Sequence, residues 1–409
     1  MTIERSWVVN GRLADGRAVD LAIADGRIES VEPTGPGRAG PSRDLGGRLL
    51  LPPMAEPHAH LDKALTSEQV PNPRGDLGGA IDAWIAAAAA GVFTHEDMVR
   101  RIREALDKLL LSGVTAVRSH INCGSGAGIW HLQAAQEAVA PYAELMDVEF
   151  VALTHSPMVG PGSEPNQRAL HEAIEHGVHL VGGCPHLEPD GVGSIAYSLA
   201  VAESAGVPVD FHVDETLDVD MLTLRSLARQ VIERGLEGRV AASHCVSLGM
   251  QPVEVQREVS EMVADAGIAI VPLPQTNLFL QGRDHPVATP RGLTAIAALR
   301  EAGVLIAAGA DNVQDPFNLV GRSDPLETAS LLVMAGHVLP EDAYGMVSND
   351  VRTAMRLPTV TFAPGDPADF VAIDAPSIRG AIADAPADRT VFHRGRVVAE
   401  TQTSRSILR

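Results

Sequence analysis

The nine residues Val207-Pro208-Val209-Asp210-Phe211-His212-Val213-Asp214-Glu215 set a short apolar, β-branched run against a histidine, and a segment of helical length follows. The same unit recurs along the middle of the chain. Apolar runs at 49–51 with its extension, 114–117, 148–153, 180–181, 207–211, 240–242, 268–271 and 304–308 alternate with helix-like stretches. Thr94 with Asp97 three residues on reads as a capping box in its shorter-acid form. Met98, Ile102, Leu106, Leu109 and Leu110 then recur at helical spacing until Gly113. Further helices are expected over 166–176, 194–205, 219–234, 252–266 and 294–302. Strands that are almost wholly apolar belong in a parallel sheet covered on both faces, and eight strand–helix units close into an α/β fold of the (β/α)8 TIM-like barrel type.

The two ends of the chain read differently. Residues 7–9, 19–23 and 28–31 are short β pieces separated by Asn10-Gly11, Asp15-Gly16 and Asp25-Gly26, dipeptides suited to hairpin turns that need positive φ. A Gly/Pro-rich stretch over 33–47 reads as an exposed connection. Residues 369–373, 391–393 and 397–398, around Arg394-Gly395-Arg396, repeat the β character. The expectation is a small β-sandwich domain built from residues 1–50 and 360–409, with the barrel over 51–359.

On seven of the eight strands the chain runs into a metal-type residue: His58 and His60, His120, His155, His186, His212, His244 and Asp311. The C-terminal ends of barrel strands form one rim, where catalytic groups gather. His58 and His60, two apart on an extended strand, point to one side. With His212 and Asp311 they make a three-imidazole, one-carboxylate set suited to one divalent metal ion, Zn2+ or Fe2+, in an open site. Such an ion lowers the pKa of a bound water from 15.7 to about 7. Glu215, three residues past His212, can reach a substrate without ligating, which suits it to move protons.

Composition narrows the partners. The chain has 409 residues, 32 basic against 52 acidic side chains, and a formal net charge of −20. That balance argues against nucleic acid and against an anionic membrane surface, since both need a basic face. No apolar run reaches the roughly 18 residues of a membrane span. The first residues lack the basic-then-apolar pattern of a secretory signal. Cys123, Cys184 and Cys245 form no CxxC pair, so a reducing, cytoplasmic setting is expected. Only Lys63 and Lys108 among the basic residues are lysine.

The segments Glu56-Pro57-His58-Ala59-His60-Leu61-Asp62, His212-Val213-Asp214-Glu215, Ser243-His244, and Gly309-Ala310-Asp311 followed by Asp315-Pro316 resemble the amidohydrolase superfamily, in its cytosine deaminase-like branch. Gly183-Cys184-Pro185-His186-Leu187-Glu188, residues 277–283 and Pro364-Gly365-Asp366-Pro367-Ala368-Asp369 extend the resemblance over nearly the whole chain. It implies hydrolytic deamination with His58, His60, His212 and Asp311 on one metal. Asp311 would accept a proton from the attacking water, Glu215 would protonate a ring nitrogen, and His244 would hold the nucleophile. Binuclear members of the superfamily use a lysine on a mid-barrel strand; here that strand carries Cys184 and His186, which implies a single metal. The unrelated zinc deaminases that need P-C-x-x-C are excluded, because the chain has no CxxC.

Several pocket positions depart from cytosine deaminases: His155 stands where the family has Gln, Leu153 where it has Phe, Asn312 for a second Asp, and Phe317 for Trp. A roomier pocket follows, and Lys63 with Asn312 is similar to the N-isopropylammelide amidohydrolase branch. Gln281 is expected to face the substrate, as a family Gln does, and His186 to hydrogen-bond within the pocket. The expected activity is ammonia release from an amino-substituted nitrogen heterocycle, a cytosine-, pterin- or related ring. The alternative is an amidohydrolase removing an alkylamine from a triazine-type ring or opening a cyclic amide. A non-catalytic metal-dependent binder has no need of Glu215 and His244. Assembly as a homo-oligomer is left open.

Overall fold

The structure is a computed structural model that describes residues 5–404 and 406–408. Seven barrel strands, Met54–Ala59, Val114–Cys123, Asp147–Thr154, Leu180–Gly183, Val209–Val213, Val240–His244 and Ala269–Val271, pair in sequence order, all parallel. The fifth starts at Val209 because Pro208 has no N–H to give to a ladder.

The eighth position is occupied without a regular strand. Isolated parallel bridges join Ile270 to Ile306 and Ala59 to Asp311, and Ile270 and Leu305 share a 2.9 Å backbone hydrogen bond. The ladder thins beyond 307. Pro272 has no N–H to give to the Ala307 carbonyl, although the Gly309 N–H still reaches the Pro272 carbonyl at 3.3 Å; on the other side the Ala308 N–H bonds to the Met346 carbonyl at 2.7 Å, and Asp311 sits at φ +67°. Gly309 allows the close approach that closes the ring: a Cβ there would lie 2.3 Å from the Glu56 carboxylate. Glu56 in turn accepts from the N–H groups of His58 and Ala310, clamping the first strand to the eighth position.

Residues 49–51 are a correction to the sequence reading. Leu49–Leu51 lies in the terminal sheet, paired antiparallel with Phe370–Ile373, and the chain enters the barrel only after Pro52 and Pro53. Both prolines lack the donor that would carry one strand through both sheets. The terminal β layer is one hydrogen-bonded sheet of eight strands drawn from both ends of the chain. It rolls over its own core: Ile28, near one end of the strand order, and Phe392, near the other, share one apolar cluster with Leu21, Leu50 and Phe370. Ser42–Asp44 adds a short strand inside the stretch expected to be connection only.

Helices cover the barrel. Thr94 caps His95–Leu111, its hydroxyl accepting from Asp97 N at 3.2 Å, and Met98, Ile102, Leu106 and Leu109 are buried. Where the barrel meets the terminal sheet, buried arginines are fully engaged. Arg389 donates to both carboxylate oxygens of Asp324 (2.9 and 2.7 Å) and to the Ser112 carbonyl, and Arg352 donates to Asp369 at 3.1 Å.

Candidate active site

His58 and His60 close the first barrel strand, and His212 lies on the fifth, opposite them across the rim. His58 Nε2 and His60 Nε2 each lie 3.1 Å from His212 Nε2. Asp311 Oδ1 is 3.2 Å from His60 Nε2 and 3.7 Å from His58 Nε2. All four side chains are buried. Burial and the neighbouring rings hold His58 and His212 well below the usual imidazole range; burial and the Lys63 charge do so for His60. Burial and the Glu215, Asp315 and Glu56 carboxyls push Asp311 up.

These residues fit a divalent cation. Neutral imidazole nitrogens facing one another at this spacing oppose their lone pairs. Asp311 Oδ1 is a buried oxygen with no hydrogen-bond partner. A cation between them satisfies both. The tautomer of His58 supports this: Asp210 accepts from the Ser243 hydroxyl (3.2 Å), so Ser243 Oγ accepts from His58 Nδ1–H (2.8 Å), which turns the Nε2 lone pair to the cluster.

Backbone strain gathers at this rim. Asp214 (φ +49°), His244 (+67°), Cys245 (+49°) and Asp311 (+67°) all take left-handed conformations that cost non-glycine residues free energy, a pattern typical of functional sites. Asp214 fixes the loop that carries Glu215 by accepting from the Thr223 and Leu224 N–H groups and the Thr223 hydroxyl. Glu215 projects into the cavity, with Oε1 3.6 Å from His244 Nδ1, and burial pushes its carboxyl up to about 8. His244, pushed down to about 3 by burial and by His186, is a neutral ring whose Nδ1 accepts from the Asn277 amide at 3.2 Å. Its Nε2 lies 4.0 Å from Asp311 Oδ2.

A cavity of about 380 Å3 opens above the cluster. Leu153, His155, Asn312 and Phe317 line it, as does Lys63, together with His60, His212, Glu215, His244 and Asp311. His155 turns Nδ1 to the Ser125 carbonyl at 3.2 Å, and Asn312 donates to Asp315 at 2.7 Å. Two residues lie elsewhere than expected. Gln281 is outside the lining set and donates to the Glu215 carbonyl at 3.2 Å, so it steadies the loop of the proton-moving carboxyl. His186 also lies outside, its Nδ1 bonded to the His212 carbonyl at 3.2 Å, behind the metal-type cluster. In both cases the side chain is diverted to a backbone carbonyl of the rim.

Sequence reasoning named Lys63 without giving it a contact, and passed over other contributors. Lys63 Nζ sits 3.1 Å from both His60 Nδ1 and Asn122 Oδ1, at the floor of the cavity. Asp62 holds His131 (2.8 Å) and the Asn122 N–H. The helix Leu77–Ala89 supplies Leu77, Ile81, Trp84 and Ile85 to the outer wall. Its signal was present, since these four recur at helical spacing, but it belongs to no strand end.

A parallel barrel with a His/Asp cluster and a buried acid at its C-terminal rim defines a hydrolase architecture. The chain belongs to the amidohydrolase family, whose model matches residues 82–399. It is 30% identical to a pterin deaminase of Rhizobium rhizogenes over 93% of this chain and 87% of that protein. It is 24% identical to the N-isopropylammelide isopropyl amidohydrolase of a Pseudomonas species over 94% of each. Among solved structures, 5-methylcytosine deaminase from Klebsiella pneumoniae superposes with a TM-score of 0.89 at 28% identity, over 98% of this chain and 99% of the other. The family is metal-dependent, and the chain is a hydrolase of carbon–nitrogen bonds other than peptide bonds, of the deaminase-like kind. No helix among the described residues is long and apolar enough to cross a membrane.

Proposed function

We propose that this enzyme hydrolytically deaminates an amino-substituted nitrogen heterocycle, with His58, His60, His212 and Asp311 holding one Zn2+ or Fe2+. The observation that carries the reading is the convergence of that ligand set with Glu215 and His244 at one cavity, which His60, His212, Asp311, Glu215 and His244 line and whose histidine cluster His58 completes. When bound, the metal supplies Lewis-acid activation of water at neutral pH.

The protein's own groups do the rest. Asp311 takes a proton from the water that adds to the amino-bearing carbon, and neutral His244, its Nδ1 occupied by Asn277, donates a hydrogen bond from Nε2–H to that oxygen. Glu215, protonated below about 8, gives its proton to the adjacent ring nitrogen. The exocyclic C–N bond of the adduct then breaks as the proton held by Asp311 passes to the leaving amine, the remaining hydroxyl proton of the added oxygen returns to Glu215, and ammonia and the oxo ring result. The two carboxyls, Asp311 and Glu215, account for every proton moved.

A single metal is favoured by Arg118. The neighbouring group His58, His120 and Asp210 has ligand-like spacing, but Asp210 already carries the Arg118 guanidinium at 2.9 Å. A second cation there would face that charge in a low-dielectric setting.

The test is an ammonia-release screen of the metal-loaded protein over cytosine, isocytosine, creatinine, pterins, guanine-like bases and aminotriazines. The reading expects ammonia with a matching oxo product, and a better substrate than cytosine. Release of an alkylamine in place of ammonia would instead identify the isopropylammelide-type reaction.

A further inference from the structure

The helix Leu77–Ala89 is unusual in what it leaves uncovered. Leu77, Ile81, Trp84 and Ile85 stand at i, i+4, i+7 and i+8, the spacing of one apolar helix face. Such a face ordinarily packs on the core, yet only Gly79, Ala80 and Trp84 of this helix are buried. Trp84 is fixed by stacking on Phe93, with ring centroids 4.3 Å apart. Leu77 and Ile81 are half-buried, and Ile85 is 61% exposed. All four line the cavity whose floor is the His/Asp cluster.

The floor is polar and rich in donors. Asn122 Oδ1 is taken by Lys63, so its Nδ2 hydrogens remain for a ligand, and the Lys63 ammonium, 3.8 Å from Asp62 Oδ1, sets a positive charge beside them. The cavity is thus two-ended: donors, metal-type ligands and Glu215 at the base, and an apolar stripe at the mouth.

Resting on the deaminase reading, we infer that the substrate is an amino-oxo nitrogen heterocycle bearing an apolar substituent or fused ring that lies against Leu77, Ile81, Trp84 and Ile85, and that this helix sets specificity. The oxo group faces Lys63 and Asn122, the amino-bearing carbon faces Asp311 and Glu215, and the apolar part covers the stripe. A bare single ring engages the base and leaves the stripe wet. The occupant is a small molecule because the stripe is continuous with the catalytic cavity.

The experiment is a homologous series of 5- and 6-alkyl isocytosines, from hydrogen to pentyl. Each is measured with metal-loaded enzyme for ammonia release and, separately, by calorimetric binding. Burial of each methylene is expected to raise kcat/KM about fourfold over the first three carbons in at least one of the two series. The slope should flatten in Ile81→Ser and in Ile85→Ser, the latter too exposed for its folding to be in question. Ammonia release with no dependence on chain length in either series, or an undiminished slope in both variants, overturns this inference and leaves the deaminase reading standing. No ammonia from any member overturns the deaminase reading instead. In that case affinity rising with chain length still upholds the apolar subsite, and flat affinity removes it.

Discussion

Glu215 at the barrel rim and Asp369 at the seam with the terminal sheet are both buried carboxyl groups, and they titrate in opposite directions. Burial raises Glu215 from an ordinary 4.5 to about 8, and the only ion-pair partner within reach among the described residues is His244, at 3.6 Å. Burial acts on Asp369 too, but there it is outweighed: His393, the Arg394 N–H at 2.6 Å and Arg352 at 3.1 Å together hold it below its ordinary range. The seam therefore uses buried charge to fasten two sheets. The rim leaves buried groups with lone pairs and protons to offer. That contrast separates the residues that carry chemistry from those that carry the fold, although both sets are polar and inaccessible.

The contrast can be broken most sharply at the ligand set. His212→Ala should remove the metal and lower kcat/KM by at least about 10^4-fold while the chain stays folded. Elemental analysis and circular dichroism check the two halves. Next in size is Glu215→Gln, which should keep the metal and lower kcat by about 10^2- to 10^4-fold. In the wild type, activity should fall as pH rises through about 8, because the carboxyl must be protonated to donate; the variant's residual activity should lack that limb.

At the seam the expected loss is of stability. Arg389→Ala removes the guanidinium from Asp324, which keeps only the Leu326 N–H, and from the Ser112 carbonyl, and should cost about 3–5 kcal/mol in denaturant unfolding, with kcat per folded molecule unchanged. Smallest is a pair of pH-dependent shifts in Tm, measured on metal-free protein. A raised carboxyl stabilises fully below its unfolded value, and that contribution is lost as pH rises through its folded one. Glu215→Gln should therefore raise Tm at pH 9 and leave it nearly unchanged at pH 4. Asp369 has the opposite sign: its contribution is present above about 3.9 and lost as pH falls, so the deficit of Asp369→Asn should shrink in acid.

Much of the rim was legible because a barrel places every strand end in one ring, so His58, His60, His212, His244 and Asp311 converge once the strand order is known. The first strand reads in sequence as starting at Leu49, five residues before Met54, because Leu49-Leu50-Leu51 and Met54-Ala55 are both apolar, and only the prolines between them mark the change of sheet. The eighth strand reads as well as any other in sequence; its ladder thins because Pro272 facing it has no N–H and because the Ala308 N–H turns to Met346, a distant partner that no local pattern encodes. His186 and Gln281 have the right residue type in the right neighbourhood. Their side chains turn to backbone carbonyls, a choice set by rotamer and packing. Lys63 and the Leu77–Ile85 stripe stand between strand one and its covering helix, where strand-end reasoning does not look.

The central claim is a single metal held by His58, His60, His212 and Asp311 that serves hydrolysis of a carbon–nitrogen bond. The direct measurement is titration of chelator-stripped protein with Zn2+ or anaerobic Fe2+ while ammonia release from its best substrate is followed. The account predicts activity that is absent without metal, rises linearly and levels at one equivalent per chain. Activity indifferent to chelation, or still rising towards two equivalents, would contradict it.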